Sequence, residues 1–213
     1  MYALDASSGA GKWRFSTEGT VRSSPAVAGE KVYATSSGYL YALDAERGKQ
    51  EWRSPSDIVM NSPPTVFNGT VYIGSKNGRF YALDPSDGSV EWSFSTGSPV
   101  RHESTVHDGT VYVTSGFNLY ALNAETGERE WVFTRADSTF PLATVSDGTV
   151  YVGGNNPVYA LNASDGSKKW KLNLSESDVQ YSAPTVSNGT VYIGSDNGNL
   201  YAVDTDSSGT AGR

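Results

Sequence analysis

The chain has no cysteine among its 213 residues, so neither a disulfide framework nor a thiolate-bound metal is available to it. Histidine is nearly absent. His102 and His107 lie five apart on an extended segment, where odd spacing turns the two side chains to opposite faces. They therefore cannot chelate one metal together, and no metal site is expected. No apolar run approaches the roughly 20 residues of a membrane-spanning helix. Positive charge is in deficit, with 16 Lys and Arg against 23 Asp and Glu and a net charge of −7. That balance disfavours non-specific binding to nucleic acid or to an anionic membrane. Nucleophile patterns and phosphate-cradling glycine loops are missing, so no catalytic set emerges. There is also no basic-then-apolar signal segment; Met1 opens in the middle of a repeat, and the expectation is a chain cut from a longer one.

What the chain does have is tryptophan at a fixed period. Trp13, Trp52, Trp92, Trp131 and Trp170 fall 39, 40, 39 and 39 residues apart. Each ends one phrase: Tyr-Ala-Leu-Asp/Asn, a polar turn with a glycine, then the indole. One supersecondary unit is thus written five times, and residues divide into those that repeat and those that do not. Repeating positions serve the architecture, and function is sought among the others.

Within a unit, short β-branched and aromatic runs alternate with turns. The first turn recurs as Gly29-Glu30, Asn68-Gly69, Asp108-Gly109, Asp147-Gly148 and Asn188-Gly189. Asn-Gly and Asp-Gly accept positive φ at both central positions, as a type I′ hairpin demands. The later turn carries Gly9, Gly48, Gly88, Gly127 or Gly166. Asp5, Asp44, Asp84, Asn123, Asn162 and Asp204 precede it, where an Asx side chain bonds the backbone two residues on. No copy holds an apolar stripe of helical period. Four strands joined by tight turns, at a period of about 40 residues, describe a β-propeller blade.

The phrases Asp44-Ala45-Glu46-Arg47-Gly48-Lys49-Gln50-Glu51-Trp52 and Asn123-Ala124-Glu125-Thr126-Gly127-Glu128-Arg129-Glu130-Trp131 resemble the tryptophan-docking repeat of quinoprotein-type (PQQ-like) propellers, and the resemblance covers the whole chain. It implies an all-β propeller of four-stranded antiparallel blades, with Trp on the outer strand docked against the glycine-bearing turn of a neighbouring blade. The five indoles are therefore expected to be structural. The resemblance also implies seven or eight blades. Blades are expected at about 21–54, 60–95, 99–134 and 139–174, with 180–203 and 1–16 supplying parts of a fifth, all in one domain. The five units either close into a ring or form an arc of a larger parent, and an arc would expose edges that favour self-association.

Candidate binding residues come from positions that refuse to match. Aligned on Val27, Val66, Val106, Val145 and Val186, the residue one earlier is almost uniformly Thr. Five earlier the set is Arg22, Asn61, Arg101, Phe140 and Tyr181; four earlier it is Ser23, Ser62, His102, Pro141 and Ser182. This places the variation at the start of the innermost strand, the mouth of a propeller's channel. Arg22, Asn61, Arg101, His102, Phe140 and Tyr181 then form the candidate site, basic within an acidic chain, for a carboxylate, a phosphate or an acidic peptide.

Asp204-Thr205-Asp206-Ser207-Ser208-Gly209 opens like a calcium loop but is read as a tail. The Asn-x-Ser/Thr triplets at Asn68, Asn162, Asn173 and Asn188 are weak signs of export. Quinoprotein dehydrogenases of the resembled family use adjacent cysteines and a calcium site beside the quinone. This chain has no cysteine, and Glu103 is its one inner-strand carboxylate. The expectation is a non-catalytic binding or scaffolding module without a cofactor, akin to the family's non-catalytic branch, which includes the outer-membrane β-barrel assembly lipoprotein. It would have a protein or peptide partner, no nucleic-acid partner, and a periplasmic or extracellular location. The alternative is an enzyme or sensor domain holding pyrroloquinoline quinone with calcium.

Overall fold

The computed structural model describes residues 1–56, 58–135, 142–154, 157–174 and 182–205, which form antiparallel sheets and their connections, with no helix among them. No helix, accordingly, is long and apolar enough to cross a membrane. The chain divides into two compact units, Met1–Glu103 and Ser104–Arg213.

The first unit opens with the hairpin β1 (Tyr2–Leu4) and β2 (Gly11–Arg14). Two four-stranded sheets follow: β3 (Ala26–Ala28), β4 (Lys31–Ser36), β5 (Tyr39–Asp44) and β6 (Gln50–Arg53), then β7 (Thr65–Phe67), β8 (Thr70–Gly74), β9 (Arg79–Leu83) and β10 (Val90–Ser95). The second unit contains β11 (Thr105–His107), β12 (Thr110–Ser115), β13 (Asn118–Asn123) and β14 (Arg129–Thr134), then β15 (Ala143–Ser146), β16 (Thr149–Val152), β17 (Val158–Asn162) and β18 (Lys168–Leu172). It closes with the three-stranded sheet β19 (Thr185–Ser187), β20 (Thr190–Gly194) and β21 (Leu200–Asp204). In every sheet the strands lie in chain order, as in a propeller blade.

The hairpin turns follow their chemistry. Asn68-Gly69, Asp108-Gly109, Asp147-Gly148 and Asn188-Gly189 have positive φ at both residues, the type I′ pattern. In the first copy only Gly29 is positive, the sign pattern of a type II′ turn, which suits the order Gly-Glu. The Asx turns form as well. Asp44 Oδ1 accepts from Arg47 N (2.6 Å), Asp84 Oδ1 from Ser86 N (2.6 Å) and Asn123 Oδ1 from Thr126 N (2.9 Å). In the first copy the Ser7 and Ser8 hydroxyls hold the Asp5 carboxyl well below the usual carboxylate range.

A bulge recurs where the third strand meets the fourth. Ala42 pairs with Trp52 but Leu43 with Gln50, leaving Glu51 extra, and Glu130 and Lys169 occupy the same place in their sheets. The extra residue reaches back to the second strand: Glu51 to Lys31, Glu130 to Thr110 (3.0 Å) and Lys169 to Thr149 (2.6 Å).

Sheets pack face to face through the indoles. In the first unit Trp13 Nε1 donates to Ala45 O and Trp52 Nε1 to Pro85 O, both at 2.9 Å. In the second, Trp131 Nε1 donates to Ala163 O (2.9 Å) and Trp170 Nε1 to Thr205 O (3.2 Å). The glycine of the receiving turn is required twice over. Gly88 has φ +76°, and a Cβ there would sit 2.7 Å from the Trp52 ring. Trp52, Trp92, Trp131 and Trp170 also tilt against a tyrosine of their own sheets, such as Tyr33–Trp52 at 5.9 Å and Tyr112–Trp131 at 5.8 Å between ring centroids. Burial, with the charges of Glu51 and Asp84, pushes the Tyr33 phenol up to about 12, so this ring stays neutral. Around these contacts lie Tyr33, Leu40, Val71 and Ile73 in the first unit, and Leu119, Val150, Val152 and Leu161 in the second.

Candidate functional site

The nearly uniform threonine of the inner strand is a fastener. Thr105 Oγ1 donates to Ala143 O (2.6 Å) and Thr144 Oγ1 to Pro184 O (2.5 Å), tying each inner strand to the segment that leads into the next. That lead-in is where the variable residues lie. Arg22, Asn61, Arg101 and His102 precede the strands beginning at Ala26, Thr65 and Thr105 rather than starting them, which corrects the expected placement. The inner strands are short because each first hairpin has only about three pairs before its backbone turns away.

The serines four positions before the aligned valine prove to be structural. Ser62 Oγ accepts from Gly74 N (2.8 Å) and donates to Pro63 O (3.0 Å). Ser182 Oγ repeats both bonds with Gly194 N (3.0 Å) and Ala183 O (3.2 Å). Each continues the first hairpin's ladder beyond its last strand pair.

In an antiparallel meander the lead-in to the first strand and the turn between the second and third lie at the same end of the sheet. At that end of the first unit is a cleft of about 420 Å³ that brings Arg22 and Asn61 together. Its other walls come from Thr20 and Ser23, from Thr35 to Gly38, from Val59 and Met60, and from Lys76. The walls are tied down. Thr17 Oγ1 donates to Gly19 O (2.8 Å), and the Ser36 hydroxyl lies between Thr17 Oγ1 (3.0 Å) and Thr20 O (3.3 Å). Arg53 pairs with Glu18 on the same segment. Opposite, Met60 N donates to Gly38 O (2.7 Å), while Lys76 N and Ser75 Oγ both donate to Val59 O (2.9 and 2.7 Å). Ser37 is held at φ +50°, an uncommon conformation for a residue with a side chain.

The charge of this cleft opposes that of the chain. Among the described residues its walls include two cations, Arg22 and Lys76, and no acid. Neither Arg22 nor Lys76 forms an ion pair with a described residue, whereas Lys12, Lys31, Arg47 and Arg53 all do. Asn61 has a bracing role besides: Nδ2 donates to Val100 O (3.3 Å) and its backbone N to Gly74 O (2.9 Å).

Arg101 and His102 are exposed and not among the cleft walls. Partial burial of the His102 ring, with the Arg101 charge beside it, holds its pKa below the usual imidazole value. His107 lies in β11, 3.3 Å from Asp108 through Nδ1. Phe140 and Tyr181 lie outside the described residues, as does Asp206 onward of the calcium-like run. Among the described residues no three His, Asp or Glu side chains gather where they could hold a metal ion.

Lys76, Ser37 and Val59 were not singled out by the alignment on the inner strand. The signal for Ser37 and Lys76 was in the turn between second and third strands, which also varies between copies: Ser37-Gly38 in one, Lys76-Asn77-Gly78 in the next; Val59 lies in the connection between β6 and β7.

Four-stranded sheets joined through tryptophan and a glycine turn define a PQQ-like β-propeller. The family model for outer membrane protein assembly factor BamB matches residues 1–58 and 36–211, and the chain belongs to that family. Among curated proteins, none matches. BamB from Moraxella catarrhalis superposes with a TM-score of 0.83 at 24% identity, over 100% of this chain and 66% of that one. The quinohemoprotein alcohol dehydrogenase ADHIIG from Pseudomonas putida HK5 gives 0.76 at 19%, over 92% and 42%. That from Comamonas testosteroni gives 0.73 at 19%, over 87% and 41%. At these identities the likeness is one of fold. The chain spans just under two thirds of the BamB structure and about two fifths of the dehydrogenases.

Proposed function

We propose that the chain is a non-catalytic binding module of a periplasmic or extracellular protein, one that presents its sheet lead-ins to an acidic protein segment. The observation that carries this is a division of labour. The repeated Trp, Asx, Gly and Thr residues all hold sheets or turns together. The cations that vary between copies, Arg22 and Arg101, have no ion-pair partner among the described residues. Membership of the BamB family supports the reading. The proposed binding residues are Arg22, Asn61, Arg101 and His102.

The likeness to quinohemoprotein dehydrogenases favours a second reading, a quinone-holding domain. The residues present do not fit that group. The chain offers no cysteine, and Glu103 has no second acid at an equivalent inner position. Adding pyrroloquinoline quinone with calcium and recording the absorbance spectrum separates the two: a stoichiometric bound chromophore would sink the scaffold reading.

The binding reading is tested on the full chain with an immobilised library of acidic peptides. Capture is expected to fall by roughly ten-fold or more on combining Arg22→Glu with Arg101→Glu. Undiminished capture by the double variant would remove these residues as the site.

A further inference from the structure

We infer that the cleft between the segment 17–23 and the turns at Ser37 and Lys76 is a site for a small organic oxyanion on a hydroxylated skeleton, separate from any protein partner. Three observations converge. The first is charge: Arg22 and Lys76 enter the walls from the connections of different sheets, no acid among the described residues accompanies them, and the chain around them carries a net charge of −7. Two cations with no ion-pair partner among the described residues suit a group whose charge is spread over several oxygens, as in a carboxylate or a phosphate monoester.

The second is shape. The volume, about 420 Å³, lies within the range of small-molecule sites, roughly 300–1,000 Å³. The third is a polar lining already in place. The backbone bonds from Met60 to Gly38 and from Lys76 to Val59 hold the two turns against one another. The Ser36 hydroxyl fastens the segment 17–20. The hydroxyl-bearing residues Thr20 and Ser37 line this wall alongside the two cations, and Val59 and Met60 supply an apolar side. A ligand bearing only charge would leave the hydroxyls unused, and a neutral sugar would leave the cations unused.

The site shares Arg22 and Asn61 with the peptide-binding reading but fails separately from it, because Lys76 and Ser37 belong to the cleft alone. The test is an amide chemical-shift titration of the full chain with glucose 6-phosphate, gluconate, glucose and inorganic phosphate. Either glucose 6-phosphate or gluconate is expected to shift the Ser37, Gly38, Asn61 and Lys76 amides saturably, and which of the two does so identifies the oxyanion. Glucose and inorganic phosphate are expected to bind at least ten-fold more weakly. Lys76→Ala should weaken binding by roughly ten-fold while leaving acidic-peptide capture and the remaining spectrum unchanged. Inorganic phosphate binding as tightly as the sugar phosphate would overturn the hydroxylated ligand. Shifts located elsewhere, or indifferent to Lys76→Ala, would overturn the site.

Discussion

The pentapeptide Thr-Val-Tyr-Ile-Gly occurs twice, as β8 (Thr70–Gly74) and as β20 (Thr190–Gly194), and both copies follow an Asn-Gly turn. Both are second strands of their sheets and pair identically with the strand before them, Tyr72 opposite Thr65 and Tyr192 opposite Thr185. Their surroundings differ. Tyr72 is 2% exposed and packs with Trp92 and Phe80, whereas Tyr192 is 40% exposed. On the third strand Phe80 is 0% exposed and its counterpart Leu200 is 74%. The sheet of β19–β21 has no fourth strand and no tryptophan among its described residues. Its other face is buried all the same, through Val191, Ile193, Tyr201 and Val203. Local sequence therefore makes the strand, and neighbouring layers decide how many of its faces are dry.

The comparison is most sharply broken by truncating aromatics. Trp52→Ala should cost about 3–5 kcal/mol, since it empties the space against Gly88 and leaves Pro85 O without its donor. Trp13→Ala, in the two-stranded hairpin where the indole is half-buried, should cost clearly less. Denaturant unfolding followed by far-ultraviolet dichroism reads both, and equal losses would remove the contrast between internal and edge sheets. Next in size, Tyr72→Ala should destabilise its sheet by about 3 kcal/mol and Tyr192→Ala by about 1. Hydrogen exchange of each sheet's own amides is the appropriate measurement, because two compact units need not open together.

Smaller again is the glycine pair of the same pentapeptide. A Cβ at Gly74 would lie 2.3 Å from Val100 Cγ1, while at Gly194 it meets only Ser182 Oγ at 3.4 Å. Gly74→Ala should cost about 1–3 kcal/mol and Gly194→Ala within about 0.5 of zero. Midpoint shifts in urea check this, and a reversed order would refute the packing at Gly74. The smallest effect is a pH dependence. The pKa of His102 is lowered in the folded chain by partial burial and by Arg101, so protons bind the unfolded chain more readily. Stability from this residue is full above the unfolded value of about 6.5 and is lost as pH falls toward the folded one. His102→Gln should flatten that slope; an unchanged slope between pH 7 and 5 would assign it elsewhere.

Much of the fold was legible in the sequence because its signals are local. Asn68-Gly69 and Asp108-Gly109 specify their turns through their own backbone preferences, and Asp44 and Asn123 cap turns two or three residues away. The docking of the indoles was implied by the resemblance to the tryptophan-docking repeat, since the copies repeat both the Trp and the glycine it needs. The candidate site was less legible. Alignment drew attention to Arg22 and Asn61, and both stand in the cleft. It could not show that Asn61 braces Val100, that the Ser62 and Ser182 hydroxyls cap a ladder, or that Lys76 joins Arg22 across two sheets. Those facts depend on which turns approach one another, and variability in a single column does not encode that.

By itself, then, the sequence determined the strands, the Asn-Gly and Asp-Gly turns and the membership of a tryptophan-docked propeller family. All of these follow from interactions within one repeat or from the identity of successive repeats. Only the tertiary structure decided which copies of a shared strand are sealed on both faces, and which cations line one cleft with no acid among its described walls. Burial and electrostatic environment belong to the packing of layers, and the identical segments β8 and β20 differ in burial for that reason.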